Sequence, residues 1–563
     1  MLSPRHASAA LRAPAVRLAV LTPPFPSSSS ISSSSARFAS VTCSIRGHRH
    51  RHPPRPLVLL SRQYCSSHGS PQTPQAEKDR VPPDHRDLGV QQELFTTSVY
   101  SPGSPIFLPN GARIFNRLVD FLRKQYVRYG FQEVITPTIY KKALWAKSGH
   151  LDNYADDMFT VTSASLKTGE KRVDAGAASP ESESVEDEYG LKPMNCPGHC
   201  LIFAAQRHSY RDLPIRYADF SPLHRDEISG ALSGLTRVRR FHQDDGHVFC
   251  RPSQVEDEIR ATLDFVRFTY DVLGLGPYRL VLSTRPTDGH LIGSEADWDA
   301  AEAALRRALD HSGQAWTLNP GDGAFYGPKI DIVLQDSDGK EHQTATVQLD
   351  FQLPRRFALS YQAPSPELEM AGRAGDAAVT GAEGAERAEG AEEAGPVTPV
   401  LIHRAVLGSV ERLMALLIEH YNGRWPFWLN PRQAIVLTVN DSDAVVGFAK
   451  EVQAVLAGTS VAASDPPAIV SSPTLLAAVD VDTSARTLPL KVREAKSKGY
   501  GAIVVVGPKD VAKGTVAVDL SGIPVKDGNA EEGAAPSKEK KRSIEMTPEA
   551  LLRLLQEKVA AYQ

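Results

Sequence analysis

Cysteine, acidic residues and long apolar runs are scarce or absent in parts of this 563-residue sequence, and each absence excludes something. No run of 18 apolar residues occurs, which excludes a transmembrane helix. Only five cysteines are present, so a disulfide scaffold is excluded and a reducing compartment is indicated. Lys and Arg total 63 against 66 Asp and Glu, so any nucleic-acid binding must come from local patches rather than from an overall basic excess.

The N-terminal segment has no acidic residues at all. Residues 1–76 contain no Asp, Glu or Lys, but they contain nine Arg and two runs of serine. This composition is typical of an organellar transit peptide, and arginine without lysine favours mitochondrial over chloroplast import. We therefore predict a mitochondrial transit peptide and linker in residues 1–80 and a mature protein in the matrix. A disordered basic tail on a cytosolic protein is the alternative.

The rest of the chain divides into two predicted domains. A core is predicted over 84–428 and a smaller α/β domain over 430–563, where strand and helix patterns alternate. Near the start of the core, apolar spacing predicts a helix over 111–130, and a strand over 131–140 is expected to enter a turn at Pro137. Three segments of low complexity or high charge interrupt these domains and are predicted insertions that cannot bury a core: 163–188, 363–396 and 526–543.

A polar strand is predicted at RRFHQDDGHVF (239–249). Strand alternation places five of its side chains on one face, with successive members about 7 Å apart: Phe241, Gln243, Asp245, His247 and Phe249. A buried structural face does not normally hold an amide, a carboxylate and an imidazole together. This face therefore indicates a site, although the solvated face of an edge strand remains an alternative.

Three further segments carry residues suited to anion or metal binding. The polar segment 224–240 predicts an antiparallel hairpin in which Arg225 and Arg237 are candidates to hold a phosphate. In MNCPGHC (194–200) the spacing is too tight for one ion, so Cys196 needs partners from elsewhere.

The last of these segments is VLIHRAVLGSVER (400–412). It predicts a strand with His403 and Ala405 on one face, followed by a helix that has Arg412 in its first turn. Gly408 permits close backbone approach where strand meets helix. A histidine in a strand is by itself more often structural than a ligand.

Together these segments resemble a known family. HRDE with the arginines that follow it resembles motif 2 of class II aminoacyl-tRNA synthetases, GSVER resembles motif 3, and GFQEVITPTIY resembles motif 1. Seven finer strings, in order along 84–563, are similar to those of threonyl-tRNA synthetases: DHRDLG, SGHLDNYADDMF, KPMNCPGH, SGALSGLTRVRRFHQDDGHVFC, AFYGPKIDI, ATVQLDF and IHRAVLGSVER.

The resemblance implies a fold and a reaction. The fold is of the α/β (α+β) class, with an antiparallel class II sheet flanked by helices and a C-terminal α/β anticodon-binding domain. The reaction is ATP-dependent activation of L-threonine to an adenylate, followed by transfer to the terminal adenosine of tRNA(Thr), for mitochondrial translation. Motif 1 forms the dimer interface in this class, so a homodimer is implied. No membrane partner is expected.

The resemblance also implies an amino-acid pocket with one Zn²⁺ per subunit. Its ligands are expected to be Cys196, His247 and His403, and three N and S ligands leave a position open for substrate. The amino group and hydroxyl of threonine are expected to complete the shell, which would reject valine because valine lacks the hydroxyl. Further threonine-binding residues are expected to be Met194, Asp245, Tyr326, Gln348 and Ala405, with Asp245 accepting a hydrogen bond from the hydroxyl.

The remaining implied residues bind ATP with Mg²⁺ or act in the transfer step. Arg225 is expected at the α-phosphate, Arg237 and Arg412 at the γ-phosphate, and Phe241 on the adenine. The resemblance assigns the other ATP contacts to Glu227, Gln243, Lys329, Gln343 and Ser409. Arg225, Arg412 and His150 are expected to be catalytic, His150 in the transfer of threonine to tRNA.

The chain departs from the family's pattern in two places. Lys491 and Arg493 resemble part of the anticodon-binding segment, but the D-x-R that usually precedes it is Asp482, Thr483 and Ser484 here. A solvated helix face is an equal alternative for each of the two cations. Only about 85 residues precede the core, so no editing domain is expected, and serine mischarging without correction in cis is predicted.

Three rival interpretations remain. A plain zinc-binding regulator is disfavoured because it has no need for the motif 3 arginine. Another class II synthetase, such as the prolyl or seryl enzyme, is disfavoured by the three ligands together with Asp245. A catalytically inactive, synthetase-like RNA-binding protein is disfavoured because Arg225 and Arg412 are both present.

Overall fold

The computed structural model describes most of the chain beyond the predicted transit peptide, which lies outside the described residues. The described ranges are 82–162, 188–287, 292–370, 394–458, 479–524 and 543–563. All of them belong to one compact unit, Glu77–Gln563. Most of the three predicted insertions also lies outside the described residues.

The strands, in chain order, are β1 (Phe95–Thr96), β2 (Ile106–Phe107), β3 (Gln132–Glu133), β4 (Ile139–Lys141), β5 (Thr160–Val161), β6 (Tyr189–Leu191), β7 (His208–Ser209), β8 (Ile215–Asp219), β9 (Pro222–His224), β10 (Arg240–Cys250), β11 (Arg279–Ser283), β12 (Trp316–Asn319), β13 (Lys329–Gln335), β14 (Glu341–Asp350), β15 (Tyr361–Ala363), β16 (Gly395–Val397), β17 (Val400–Ser409), β18 (Ala434–Thr438), β19 (Val479–Asp482), β20 (Ala502–Val506), β21 (Val516–Asp519) and β22 (Ile544–Met546).

The α-helices, in chain order, are α1 (His85–Gln91), α2 (Pro109–Arg128), α3 (Lys142–Ser148), α4 (His150–Tyr154), α5 (Cys196–Ala204), α6 (Val255–Leu273), α7 (Glu295–Ser312), α8 (Gln352–Arg356), α9 (Pro366–Met370), α10 (Val410–His420), α11 (Asp443–Ala457), α12 (Leu488–Ser497), α13 (Pro508–Lys513) and α14 (Pro548–Ala560). None of these helices combines the length and the hydrophobicity that spanning a membrane requires.

The core is built on a nine-stranded, largely antiparallel sheet. Its order is β12-β11-β13-β14-β17-β10-β8-β3, and β9 pairs with β10 at one end. Two of its pairs are parallel, β11 with β12 and β3 with β8. This arrangement confirms the predicted antiparallel sheet and places the three longest strands, β10, β14 and β17, side by side in the middle.

Helices cover one face of this sheet with apolar side chains. The predicted helix over 111–130 is confirmed as α2, and the residues at its helical spacing, including Ile114, Leu118 and Leu122, are fully buried. Gly130 follows the helix with a φ of +75°, the left-handed conformation that ends many helices. Helices α6 and α10 pack in the same core, which leaves the other face of the central strands for polar residues.

The strand predicted over 131–140 is interrupted. Only β3 and β4 form, with an irregular segment around Pro137 between them. Thr136 explains the break, because its backbone N–H and hydroxyl both donate to the carboxylate of Asp219, at 3.1 and 2.7 Å, instead of to a neighbouring strand. Pro137 has no N–H to offer a strand ladder.

The second predicted insertion begins later than expected. Residues 363–370 complete β15 and form α9, and 395–396 belong to β16. Buried Glu369 fixes this segment, since its carboxylate accepts from the Tyr361 hydroxyl at 2.9 Å and from Arg251 Nε at 2.5 Å. The boundary at 363 that was predicted from low-complexity composition is therefore wrong, because a few polar contacts hold residues 363–370 in place.

The C-terminal domain is an α/β layer structure, as predicted. Its sheet has the order β19-β18-β20-β21-β22, with β18 parallel to both of its neighbours. Strand alternation sends Val436 and Val504 toward α11 and α14, whereas Leu437 and Ile503 pack with α12 on the other face. A sheet covered on both faces explains why these strands are continuously apolar.

One close backbone approach generates a stability prediction. Gly408 ends the extended part of β17 with a φ of +65°, and a Cβ there would lie 2.2 Å from the carbonyl oxygen of Thr344. We expect Gly408→Ala to lower the free energy of unfolding by about 1–3 kcal/mol more than Gly339→Ala, because a forced close contact costs about this much. Urea denaturation of both variants measures the difference.

Gly339 is the matched control, since its φ is +80° but no atom lies within 4 Å of the position that a Cβ would occupy there. Equal losses in the two variants would show that the positive φ, and not the contact with Thr344, sets the requirement for glycine at 408.

Candidate active site

Two rows of side chains cross the face of the central sheet that lies opposite the main apolar core. Strand pairing places Lys329, Gln348, His403 and His247 in one row, on β13, β14, β17 and β10. The next row consists of Asp331, Thr346, Ala405 and Asp245 on the same strands. Adjacent strands lie about 4.8 Å apart, so eight residues from distant parts of the chain meet on one small surface.

Seven of these eight residues, all except Asp331, line a cavity of about 500 Å³. It is lined by 17 of the core residues predicted from sequence: Met194, Cys196, Arg225, Glu227, Arg237, Phe241, Gln243, Asp245, His247, Tyr326, Lys329, Gln343, Gln348, His403, Ala405, Ser409 and Arg412. Lining residues that the sequence analysis missed include Tyr154, Thr236, Asp322 and Thr346. Phe249, predicted on the same strand face, instead packs in an apolar cluster with Cys196 and Phe203.

Three potential metal ligands converge at one end of the cavity. His247 and His403 face each other across β10 and β17, and Cys196 is the first residue of α5. The ligand atoms of the three side chains all lie within 4.8 Å of one another, and His247 Nε2 is 2.9 Å from His403 Nδ1. This pattern of two nitrogens and one sulfur suits a tetrahedral site with one position left for another ligand.

A buried carboxylate orients one of these histidines. Asp350, which is fully buried, lies 2.8 Å from His403 Nε2 through its Oδ2, and its Oδ1 accepts from the backbone N–H groups of Gln352 and Leu353. An ionised carboxylate only accepts, so His403 Nε2 carries a proton and the lone pair of a neutral ring lies on Nδ1, facing His247. A carboxylate behind a metal-bound histidine is the usual supporting arrangement.

An unpartnered nitrogen of His247 is consistent with a cation between the two rings. His247 Nδ1 is buried and has no hydrogen-bond partner in the described part of the chain. If that nitrogen carries the ring proton, two lone pairs face each other at 2.9 Å, and a divalent cation between the rings relieves the repulsion. Burial raises the pKa of the Cys196 thiol well above its ordinary value, and coordination would offset this by favouring the thiolate.

The residues beside this cluster form a small polar pocket. Asp245 is 9% exposed, and its Oδ2 accepts from Asn195 Nδ2 at 3.1 Å, which holds the carboxylate toward the cavity. Burial raises the pKa of Asp245 above its ordinary value. The Tyr326 hydroxyl donates to Gln348 Oε1 on the opposite wall. Ala405 lies directly across from Asp245, and its small side chain leaves room for a ligand there.

The other end of the cavity is strongly cationic. The predicted hairpin is confirmed as β9 paired with β10, and it carries Arg225 and Arg237. The Arg225 guanidinium lies 5.2 Å from the centre of the Phe241 ring, and its buried Nε has no hydrogen-bond partner among the described residues. Arg237 pairs with Glu227 at 2.7 Å at the rim. An orphaned guanidinium N–H beside an aromatic ring suits a phosphate next to a planar base.

Arg412 completes this cationic end from the motif 3 side. Arg412 lies in the first turn of α10. Ser409 caps this helix, because its hydroxyl accepts from the backbone N–H of Arg412 at 3.2 Å. The Arg412 guanidinium donates to the carbonyls of Gln343 at 2.8 Å and Thr236 at 3.2 Å. Burial and the charges of Arg225 and Arg237 lower the pKa of Arg412. Three arginines around one end of the cavity favour the binding of a polyanion.

A second polar cluster, which the sequence analysis missed in part, lies between these two ends. Lys329 Nζ is 2.6 Å from Asp331 Oδ2 and 3.1 Å from Asp322 Oδ2. Gln343 Nε2 donates to the other oxygen of Asp331. Alternation along β13 puts Asp331 beside Lys329, and that period-2 pattern is the signal by which Asp331 could have been predicted.

His150 lies apart from the cavity wall. It is fully buried in α4, with Nδ1 2.7 Å from the Ser148 hydroxyl and Nε2 3.8 Å from Cys196 Sγ. Burial lowers the pKa of His150 to about 4, so the ring is neutral near pH 7. The structure thus places His150 next to Cys196 but not among the residues that line the cavity. Its part in a transfer step stays a prediction.

The two residues predicted to contact RNA differ in placement. Lys491 is 1% exposed, and its Nζ donates to the carbonyls of Thr438 at 3.0 Å and Asp482 at 3.2 Å, which joins the ends of β18 and β19. An RNA contact by Lys491 would require these hydrogen bonds to be given up. Arg493 is exposed on α12. Both RNA contacts stay predictions.

Comparisons with known proteins agree with this geometry. Residues 179–378 match the family described as the tRNA synthetase class II core domain (G, H, P, S and T), and residues 433–520 match the family described as the anticodon binding domain. A crystal structure described as the RNA binding domain of threonyl-tRNA synthetase from Cryptosporidium parvum Iowa II is 40% identical with a TM-score of 0.66, over 84% of this chain and 98% of that one.

Two yeast proteins are similar over most of their length. The probable mitochondrial threonine–tRNA ligase of Schizosaccharomyces pombe is 48% identical over 440 residues, which are 77% of this chain and 84% of that protein. The mitochondrial threonine–tRNA ligase of Saccharomyces cerevisiae is 43% identical over 75% of this chain and 83% of that protein. The chain spans only about half the length of several longer relatives.

The sheet, the hairpin with its arginines and the capped helix behind it define the core of a class II aminoacyl-tRNA synthetase, followed by an anticodon-binding domain. Because it is 48% identical over 84% of a probable threonine–tRNA ligase, the chain belongs to the threonine–tRNA ligase family.

The Asp350–His403 contact generates a metal-binding prediction. In Asp350→Asn, the amide oxygen can keep the two backbone contacts, whereas the amide N–H₂ faces His403 Nε2. That arrangement moves the ring proton to Nδ1, the nitrogen that faces the metal position. We expect Zn²⁺ affinity to fall about 10–100-fold, the usual effect of losing such a partner. Competition with a chromogenic chelator measures it.

Asp336→Asn is the matched control. Asp336 Oδ2 also lies 2.7 Å from a histidine, His342 Nε2, while its Oδ1 accepts from the backbone N–H groups of Asp338 and Lys340. This control should bind Zn²⁺ as the unmodified protein does. If both variants lose affinity equally, the role assigned to Asp350 is wrong.

Proposed function

We propose that this chain joins L-threonine to ATP to form threonyl-adenylate and transfers the threonyl group to the 3′-terminal adenosine of tRNA(Thr). The observation that carries this proposal is the meeting of Cys196, His247, His403 and Asp245 with Arg225 and Arg412 around one cavity. The yeast relatives, which are threonine–tRNA ligases, support the choice of amino acid.

Threonine selection is proposed to rest on a hydroxyl-specific pocket. A Zn²⁺ held by Cys196, His247 and His403 would supply a Lewis-acid position for the amino group and hydroxyl of the substrate. Asp245 accepts the hydroxyl proton in a hydrogen bond, and Asn195 holds that carboxylate in place. A site built around a hydroxyl leaves buried polar groups unpaired when valine enters, which gives a discrimination of about 10⁴–10⁵.

ATP activation is proposed to rest on the arginines and the hairpin. Arg225 binds the α-phosphate with its free Nε, and Phe241 stacks on the adenine, which Glu227 faces. Arg237 and Arg412 bind the γ-phosphate end, and Gln243, Lys329, Gln343 and Ser409 supply further contacts. The threonine carboxylate then attacks the α-phosphorus and pyrophosphate leaves, with Arg225 stabilising the charge that develops. Mg²⁺ accompanies ATP in this class of reaction.

Transfer to tRNA is proposed to follow on the same surface. The ribose hydroxyl of the terminal adenosine attacks the carbonyl carbon of the adenylate, the acyl–phosphate bond breaks and AMP leaves, with neutral His150 beside Cys196 assisting loss of the hydroxyl proton. The C-terminal domain, including exposed Arg493 and the segment around Lys491, is proposed to bind the anticodon arm. The named yeast relatives are mitochondrial enzymes, and together with the acid-free N-terminal composition they support function in the mitochondrial matrix.

The enzyme is further proposed to act as a homodimer through motif 1. Strand β3 ends the central sheet, and on its outer side it has no strand partner in the described part of the chain. Apolar side chains stand exposed next to it, with Ile135 84% and Val127 74% accessible to solvent. An open sheet edge flanked by exposed apolar residues favours pairing with another chain.

An exchange assay tests the proposed reaction. With purified protein, ATP–pyrophosphate exchange is expected with threonine, weakly with serine, and not with valine or proline. A zinc chelator should abolish threonine-dependent exchange, and added Zn²⁺ should restore it. Asp245→Asn should raise the KM for threonine about tenfold or more, because a charged hydrogen bond to the hydroxyl is lost.

Asp271→Asn, on the exposed side of α6, is the control for that substitution. It should leave the KM for threonine and the KM for ATP unchanged. Absence of exchange with every amino acid, from folded and zinc-loaded protein, would favour the inactive RNA-binding alternative. Exchange with proline alone would assign the chain to a different specificity.

The dimer is tested at the open sheet edge. Ile135→Glu places a charge among the exposed apolar side chains, so a dimer that buries them should dissociate at micromolar concentration. Sedimentation velocity measures the change. The control is Leu318→Glu, at an exposed position on β12, which lies at the opposite edge of the same sheet. Equal behaviour of the two variants would contradict a motif 1 interface.

A further inference from the structure

A buried histidine outside the cavity connects the β9–β10 hairpin to α10, the two elements that carry the arginines of the cavity. His85 is the first residue of α1 and is 5% exposed. It lies between the tip of the β9–β10 hairpin and the last turn of α10. The hairpin carries Arg225 and Arg237, and α10 carries Arg412 in its first turn.

The hydrogen bonds of His85 assign its tautomer. The backbone N–H of Leu235 donates to His85 Nε2 at 3.2 Å, so Nε2 is an acceptor. Nδ1 is therefore the protonated nitrogen, and it donates to Glu419 Oε1 at 2.7 Å. The backbone N–H of His85 donates to the same oxygen at 3.2 Å. Both ring nitrogens are thus used, one toward the hairpin and one toward α10.

The hairpin tip is shaped to rest on this ring. Gly234 has a φ of +47°, and a Cβ there would lie 2.1 Å from His85 Nε2, so only glycine permits this approach. The next side chain, Leu235, is fully buried in the main apolar core. The carbonyl of Thr236, one residue further, accepts from Arg412 Nε. Three consecutive residues therefore join His85, the core and Arg412.

A metal site at the same place is the competing interpretation. The ligand atoms of Asp84, His85 and Glu419 all lie within 4.8 Å of one another. However, Nδ1 of His85 is hydrogen-bonded to Glu419, Nε2 is occupied by the hairpin, and the Asp84 carboxylate accepts from Arg86 Nε at 3.0 Å. A metal ion would have to displace these bonds, so the contacts favour a structural connection.

We propose that His85 is a positioning residue that holds the hairpin tip, residues 233–237, in the conformation that binds ATP. The inference rests on the proposed ATP site. Without the acceptor at Nε2, the buried N–H of Leu235 loses its partner, and the tip spends more time away from Arg412. The apparent affinity for ATP falls in proportion to the fraction of molecules whose hairpin tip is in the ATP-binding conformation. The affinity for threonine is unaffected, because that pocket is built on β10 and β17.

The test separates the two substrates in the exchange reaction. His85→Asn keeps a donor near Glu419 but removes the acceptor that His85 Nε2 offers to the N–H of Leu235. We expect the KM for ATP to rise about tenfold, because this buried donor is left unpaired. The KM for threonine and the kcat at saturating ATP should stay within about twofold of the unmodified enzyme, since the ATP-competent fraction alone changes. His85→Gln, whose amide oxygen can reach Leu235, should recover most of the ATP affinity.

The matched control is His311→Asn. His311 makes an equally short contact, 2.7 Å from Nδ1 to Glu256 Oε1, but it is exposed on α7. Its kinetics should be unchanged. Limited trypsin digestion gives a readout independent of activity, since cleavage after exposed Arg237 should be faster in His85→Asn than in the unmodified protein or in His311→Asn. Equal thermal denaturation temperatures exclude general unfolding as the cause.

Three outcomes overturn the inference. The first is an unchanged KM for ATP and an unchanged cleavage rate in His85→Asn. The second is an equal rise in both KM values, which indicates a general structural defect. The third is a second bound Zn²⁺ per subunit that disappears in His85→Asn. If the unmodified enzyme shows no exchange at all, the proposed function fails instead, and the digestion experiment still tests the contact with the hairpin.

Discussion

The register between β10 and β17 is the constraint on which the rest of the site depends. It pairs His247 with His403 and Asp245 with Ala405, so a single alignment sets both the candidate metal ligands and the polar pocket beside them. A shift of either strand by one residue would turn the site residues of that strand to the opposite face of the sheet. The cavity therefore depends on whatever prevents that shift.

Buried polar groups on the opposite face contribute to holding this register. Asp244 accepts from the backbone N–H groups of Val406 and Leu407 at 2.8 and 2.9 Å, which ties β10 to the irregular end of β17. Arg404 is 1% exposed, with its guanidinium carbon 4.0 Å from the centre of the Phe131 ring and 4.5 Å from that of Tyr126. Aromatic faces offset part of the cost of burying this charge.

Much of the site could be predicted from the sequence, and the reason is strand alternation. Gln243, Asp245 and His247 share a face because they lie two residues apart, and that relation is local. Asp350 could not be assigned in the same way, although it lies in the family-like string ATVQLDF, because its contact with His403 depends on which strand is the neighbour. Asn195 is equally distant in sequence from the carboxylate that it supports.

Errors in the sequence analysis have a similar origin. The strand predicted over 131–140 has the right composition, but Thr136 bonds to Asp219, which is 83 residues away. For Lys491 only the alternative of a solvated helix face is wrong, because the ends of β18 and β19 supply carbonyl acceptors for its ammonium group inside the domain. Neither acceptor can be read from the local sequence, since both depend on the packing of distant elements.

The two ends of the cavity differ in how rigidly they are built. Most of the residues proposed to bind threonine, including Asp245, His247 and Gln348, lie on three long central strands, where pairing on both sides fixes each residue. The arginines proposed to bind ATP lie on the hairpin and at one helix terminus, which are joined by a few hydrogen bonds between distant segments. A loop held in this way can open at a lower free energy than a central strand. In the proposed function the phosphates of ATP are therefore bound at the less rigid end, while amino-acid selection, which needs an accurately placed hydroxyl contact, uses the more rigid one.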